Sequence, residues 1–264
     1  MLLAETHGKG RSEVEDDEDL LTSTVFGHLR YVPPPVFWGR FLAMAKGTGG
    51  RPLAEALRLS EGGFAAYRQL IVDFWPRSLN NWEPDLILRF MGDGLPVVIL
   101  VVEVKLWSGK SGEGEDDQLG RYLLLLDQIE KDCGSGILAR TALIYLTPRD
   151  ACAEIERTLQ AVQDRSRYEG RLFRLQWQDV LAAAKAVMDG ASEPAKTILQ
   201  DVAAFLHGRR LEYFEGYHCL DQMRNFPNTA AVSFYTPLEP SGFAGMRMLA
   251  GLEEFAVIPA GWMS

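Results

Sequence analysis

Cysteine is scarce in this chain. Only Cys133, Cys152 and Cys219 occur among 264 residues, an odd and widely spaced set without a C-x-x-C pair. That excludes a disulfide framework and a zinc site of the usual spacing, and it fits a reducing compartment. The four histidines (His7, His28, His207 and His218) show no ligand spacing with one another or with a cysteine. His28 reads as a packing or surface residue. No apolar run approaches the roughly 18–20 residues needed to cross a bilayer. The opening "MLLAETHGKGRSEVEDDED" lacks the apolar stretch of a secretory leader. Together these absences predict a cytoplasmic protein. There is also no internal repeat and no low-complexity tract.

Positive charge is short as well. Lys and Arg number 27 against 36 Asp and Glu, a net charge of −9, and the densest charged run, 13–19, is acidic. Proteins that hold nucleic acid through non-specific phosphate contacts present a basic face. Any nucleic acid here must therefore be handled at a local site or with the help of a protein partner.

What the chain does have is apolar residues in strand-like and helix-like periods. With 47% hydrophobic and 24% charged residues it has the composition of a globular protein with a sizeable core. Residues 12–32 read as a helix: Ser12 and Glu15 form a capping box, Leu21, Val25 and Leu29 mark the buried face, and Pro33-Pro34-Pro35 ends it. Further helices are expected at about 36–46, 52–58, 116–133, 150–165, 177–189 and 194–211. Strands are expected at 69–75, 84–90, 96–107, 137–148 and 171–176, the second and third joined as a hairpin by "MGDG". Helices alternating with a strong group of strands predict an α/β domain around a central mixed β-sheet. The boundaries expected are a core over 12–176 and a helical, aromatic-rich extension over 177–264. The aromatics Tyr213, Phe214, Tyr217, Phe226, Phe234, Tyr235 and Phe243 are read as packing rather than base stacking. "GKSGEG" (109–114) lacks the spacing of a phosphate loop and is read as a polar loop beside the site.

The strand "VVILVVEVKLW" carries two opposite charges, Glu103 and Lys105. Alternation puts them on one face with Ile99 and Val101, and sends Val102, Val104 and Leu106 to the other. The plain explanation is an internal ion pair, or a strand end that has reached water. Asp85, 18 residues earlier behind Pro84, opens another reading. A hairpin can set Asp85 beside Glu103, and an acid pair with a lysine at a strand end suits Mg²⁺, which binds hard oxygen ligands and keeps several waters. Lys105 can then orient a water or offset charge on a phosphate oxygen.

Pro84-Asp85 followed by Glu103-Val104-Lys105, each in a strand context, resembles the signature of the PD-(D/E)XK nuclease superfamily, whose fold is restriction-endonuclease-like. The resemblance runs over residues from about 12 to 148. It implies a Mg²⁺-dependent nuclease, with Mn²⁺ as a possible substitute, acting on DNA in preference to RNA. Asp85 and Glu103, with the Val104 carbonyl, would hold the metal, and Lys105 would assist the attacking water. Glu18, in "EDLLT", is similar to the acidic residue that members place on the helix before the hairpin, as a catalytic and metal-holding residue; Glu15 is the alternative. Gln118 and Tyr122 share a helical face and are similar to the Q-x-x-x-Y motif of the branch containing recombination exonucleases, where the pair holds the DNA strand. Tyr122 also fits a buried stripe with Leu125 and Ile129. Arg121 and Lys110 are candidate phosphate contacts. The segments "LQWQDVLAAA" and "LEYFEGY" resemble C-terminal parts of nuclease-like proteins from bacterial defence or repair systems. The alternative is a catalytically silent nuclease-like binding or structural subunit of a larger nucleic-acid-processing or phage-defence assembly. A third reading is a phage-defence effector whose activity waits for a partner or signal, and either a protein partner or a homo-oligomer is compatible with the chain.

Overall fold

The computed structural model describes residues 18–77, 82–106, 117–133 and 139–213. The expected N-cap at Ser12, and with it Glu15, the loop carrying Lys110, His7, His218, Cys219 and the aromatics from Phe214 onward lie outside these residues.

Helix α1 (Glu18–Leu29) leads to the short α2 (Trp38–Leu42) and α3 (Leu53–Ala56). The strands β1 (Gln69–Phe74), β2 (Leu86–Met91) and β3 (Val97–Val104) follow, then α4 (Gln118–Asp132) and β4 (Ala139–Thr147). The remaining elements are α5 (Cys152–Ala161), α6 (Arg165–Tyr168), β5 (Leu172–Gln176), α7 (Trp177–Val187) and α8 (Glu193–Gly208). The five strands form one sheet in the order β1-β2-β3-β4-β5. β1, β2 and β3 pair antiparallel, and β3, β4 and β5 pair parallel. The protein is thus α/β with a mixed sheet flanked by helices, as its pattern predicts. Among the described residues no helix is long and apolar enough to cross a membrane.

Two expected helices are shorter than their sequence pattern. The stretch 36–46 is helical only over Trp38–Leu42, because Lys46 leaves the helix to bridge Pro52 and Arg174. The stretch 150–165 breaks at Val162, whose ψ of 144° is extended, and Asp164 starts α6 by accepting from the Arg167 N–H at 3.1 Å.

Each face of the sheet has its own core. One is built by Val98, Leu100, Val102 and Val104 of β3 against Leu21, Val25 and Phe26 of α1, with Trp38, Trp177 and Leu199 from α2, α7 and α8. Aromatic rings dominate there: Phe26 lies 6.1 Å from Trp38 and 5.8 Å from Trp177 between centroids, and Phe90 lies 5.1 Å from Phe64. The other core sets Val101, Leu143 and Tyr145 against Leu119, Tyr122 and Leu126 of α4 and against Ile155 and Leu159 of α5. Asp117 starts α4: its Oδ1 accepts from the Leu119 N–H at 3.0 Å, and its Oδ2 accepts from the Thr158 hydroxyl at 2.7 Å, which joins α4 to α5.

Candidate active site

The hairpin register decides where the acids meet. Leu86 lies opposite Val102 and Ile87 opposite Val101, so one step further Asp85 lies opposite Glu103. Asp85 is held there by its backbone and its side chain. Its carbonyl accepts from the Trp75 N–H at 3.0 Å, and its Oδ2 accepts from the Val104 N–H at 2.7 Å. Pro84 before it keeps the chain extended as it enters β2.

Glu103 and Lys105 share one face at the C-terminal end of β3. The Lys105 ammonium donates to Glu103 Oε1 at 2.7 Å and to Glu18 Oε1 at 3.1 Å. Glu18, at the first turn of α1, also takes the Leu106 N–H on Oε2 at 2.7 Å. Glu18 therefore joins the hairpin acids through Lys105 and through the chain just past β3. Two carboxyl groups bond one ammonium, with Asp85 as a third acid nearby, in a space where Glu103 is 1% exposed and Lys105 8%. The consequences for protonation follow from that burial. Desolvation, reinforced by the neighbouring Glu103 charge, pushes Asp85 well above the usual carboxylate range, against the pull of the Val104 N–H and of Lys105. Burial likewise raises Glu103, with Lys105 opposing it. For Lys105, burial pulls the ammonium down, but Glu103 and then Glu18 outweigh it and the net shift is upward.

One buried oxygen is left over. Glu103 Oε2 is buried and has no donor bonded to it while Asp85 is ionised; a protonated Asp85 can donate to Glu103. An unsatisfied buried acceptor costs on the order of 1–3 kcal/mol. A divalent cation is the kind of group such an oxygen accepts, since hard cations prefer carboxylate oxygens and Mg²⁺ makes do with one or two of them plus waters. Among the described residues no group of three or more His, Cys, Asp or Glu is gathered as a metal cage. Asp85 and Glu103 together offer the two carboxylates that such an ion takes, with waters for the rest of its shell.

Tyr122 is buried on α4 and donates its hydroxyl proton to the Glu83 carbonyl at 3.0 Å, while Gln118 Nε2 donates to the same hydroxyl at 3.3 Å. Burial, followed by the charge of Glu103, holds this phenol above its ordinary value, so it stays a donor. The pair thus braces the segment that delivers Asp85. Arg121 lies between them in sequence and is half-buried. His28 is exposed, with Nδ1 2.6 Å from the Thr24 carbonyl, and takes no part. Tyr213 is 45% exposed, so it does not pack in the core as its composition predicts; its hydroxyl donates to Asp179 Oδ1 at 2.5 Å.

Two neighbours of the site carry no motif. Trp177, at the start of α7, donates its indole N–H to the Lys105 carbonyl at 3.0 Å and fixes the backbone that carries the ammonium. Tyr145 lies opposite Glu103 in the parallel β3–β4 register and donates to Glu154 Oε2 at 2.9 Å. Trp177 falls in the segment "LQWQDVLAAA" noted above, but neither its bond to Lys105 nor the place of Tyr145 opposite Glu103 can be read from an aromatic at a strand end, which ordinary packing also produces. No family model matches the chain, and comparison with curated proteins and with solved structures finds no match.

Proposed function

We propose that the protein is a metal-dependent nuclease with a restriction-endonuclease-like core, hydrolysing phosphodiester bonds in DNA. The observation that carries this reading is the meeting of Asp85, Glu103 and Lys105 at adjoining strand ends, with Glu103 Oε2 buried and unsatisfied beside a lysine already in place. Buried charges of this kind cost stability where they are imperfectly paired, and a catalytic task is a reason for a chain to keep them.

Asp85 and Glu103 would hold Mg²⁺, or Mn²⁺ in its place, with the Val104 carbonyl alongside and Glu18 behind Lys105. When bound, such an ion supplies Lewis-acid charge and a water acidic enough to react near neutral pH. The chain's own part is positioning. Lys105, held between two carboxylates, presents a fixed positive charge to a phosphate oxygen as negative charge builds on it. The water oxygen bonds to phosphorus, the phosphorus–oxygen ester bond breaks, and the departing oxygen takes up a proton. Gln118 and Tyr122 keep the Asp85 segment in register while Trp177 does the same for Lys105.

A second reading is favoured by the ion pairs themselves. Lys105 already bonds two acids, which is how an inert internal cluster in a silent, partner-bound subunit would also look. Cleavage of linear, circular and single-stranded DNA, and of RNA, with Mg²⁺ or Mn²⁺ separates the two. The nuclease reading expects metal-dependent cleavage that falls at least about a hundredfold in Asp85→Asn and in Lys105→Ala. No cleavage of any substrate, or undiminished cleavage by both variants, would overturn it.

A further inference from the structure

A cavity of about 690 Å³ opens on the same face of the sheet as the carboxylates. Helix α4 packs over β3 and β4, and the cavity occupies the neighbouring part of that face, over β1 and β2. It starts close to the acids. Ile87 follows Asp85 by two residues on the same side of β2, roughly 6.6 Å along the strand, and it lines the cavity with Ile99 and Ile129. A smaller hollow of about 230 Å³ shares Ile87 and Ile129 with it.

Three features of the cavity point to one kind of occupant. Its floor is apolar, made by the half-buried Ile87 and Ile129 with the buried Ile99 between the strands and α4. Its far side is polar: Arg89 bonds Asp73, with Nε 3.1 Å from Oδ2, so a guanidinium and a carboxylate stand together as donor and acceptor, both partly exposed. Its near end is framed by Trp75, whose φ of +45° places a bulky residue in the left-handed region. That conformation costs on the order of 1–3 kcal/mol and persists only where its surroundings hold it. Here the Trp75 N–H is the group bonded to the Asp85 carbonyl, so the strained residue ties the cavity to the catalytic strand end.

A planar molecule with apolar faces and a polar edge meets these surfaces, and a volume of this size lies within the range of small-molecule sites. A nucleobase has that chemistry. The charge of the chain argues the same way: at −9, with no Lys/Arg-rich run in its sequence, it is poorly suited to draw most of its affinity for a polyanion from phosphate contacts. Base contacts at a local site would supply what phosphate contacts do not.

We propose that this cavity holds an unpaired nucleobase of the substrate strand beside the scissile phosphate, so that the enzyme acts on single-stranded or frayed DNA. The proposal rests on the nuclease reading for its connection to cleavage. In a duplex the bases are stacked and paired, and reaching the cavity would require breaking both interactions first. A single strand enters without that cost.

Binding is measured by fluorescence anisotropy with the full chain in a chelator, so that nothing is cut. The probes are a labelled single-stranded oligonucleotide, the same strand with abasic sites, and a blunt duplex. Base contacts of this kind are worth about tenfold in affinity or more per base, and the single strand is expected to bind at least that much tighter than either other probe. Ile129→Trp, which fills the cavity, and Arg89→Ala, which removes its polar edge on a partly exposed side chain, are both expected to erase the preference, with circular dichroism confirming that they fold. Equal binding of all three probes, or a preference that survives both folded variants, overturns the proposal. Hydrolysis of bis(para-nitrophenyl) phosphate, which carries no base, tests the nuclease reading separately. If that diester is cleaved while all three probes bind alike, the cavity assignment falls and the nuclease stands. If no diester is cleaved but the preference and its loss in the variants are seen, the nuclease reading falls and the cavity stands as a nucleobase site.

Discussion

On β3, Val98, Leu100, Val102 and Val104 face a core that takes residues from every strand, whereas Ile99, Val101 and Glu103 face the side where one helix covers β3 and β4 and a cavity opens over β1 and β2. The first face is closed by interlocking aromatic rings and contains almost no polar group. The second holds the buried acids, the lysine and the tyrosines that brace them. A single strand thus divides the work by alternation: its even-numbered residues only hold the fold together, while its odd-numbered face passes from the apolar Ile99 and Val101 to the charge of Glu103. Stability and chemistry should accordingly respond to different mutations.

The largest loss of stability is expected on the closed face. Phe90 touches Trp38, Phe64 and Tyr67, and Phe90→Ala should cost about 3–5 kcal/mol in denaturant unfolding. Cleavage per folded molecule should be unchanged, and a loss beyond the loss of folded protein would blur the division between faces. Next comes Lys105→Ala, which leaves Glu103 and Glu18 without their cation and should cost roughly 3 kcal/mol at neutral pH. Its pH dependence has a definite sign. Burial already raises the Glu103 carboxyl, and removing Lys105 takes away the larger of the influences that oppose it, leaving only the Asp85 hydrogen bond. A carboxyl that holds its proton more tightly when folded contributes stability at low pH, which is lost as pH rises through its folded value. Thermal unfolding should therefore show the variant closest to wild type in acid and furthest from it in alkali. A constant gap would mean that Glu103 is not the charge left exposed to burial.

Asp85→Asn sharpens the comparison in the opposite direction. The amide oxygen can still accept from the Val104 N–H, while a buried carboxyl whose ionisation is opposed by burial and by Glu103 is removed. A stability equal to wild type or greater by about 1 kcal/mol at neutral pH, read by denaturant unfolding, is expected together with loss of cleavage. A strongly destabilised variant would make Asp85 a structural residue first. The smallest effect belongs to Tyr122→Phe, which removes the hydroxyl on the Glu83 carbonyl and should cost about 1 kcal/mol with a fewfold drop in turnover. A drop as deep as that of Lys105→Ala would move Tyr122 from bracing the site to acting in it.

How much of this was legible in the sequence depends on how local the cause is. The strands read well because runs such as "VVILVVEV" leave little choice, and the hairpin turn sets a register that puts Asp85 opposite Glu103. Helix ends were harder. Val162 breaks what looks like one helix because Asp164 offers a competing cap, and 36–46 gives up its second half to a bridge with Arg174, a residue distant in sequence. The role of Trp177 was not legible: its bond to the Lys105 carbonyl joins residues 72 positions apart. The cavity over β1 and β2 was equally hidden, since it reflects where α4 lies and not what any residue is.

The separations along the chain also order the assembly of the site in time. Asp85 meets Val104 across 19 positions, a contact that the β2–β3 hairpin makes by itself, whereas Glu18 meets Lys105 and Leu106 across 87 and 88. Closing a longer loop costs more entropy, and distant contacts form later and more slowly than near ones. The acid pair therefore forms with the hairpin, and the third acid arrives only when α1 docks. A nascent or half-folded chain carries an unfinished site, and whatever Glu18, Asp85, Glu103 and Lys105 do together waits for α1 to dock.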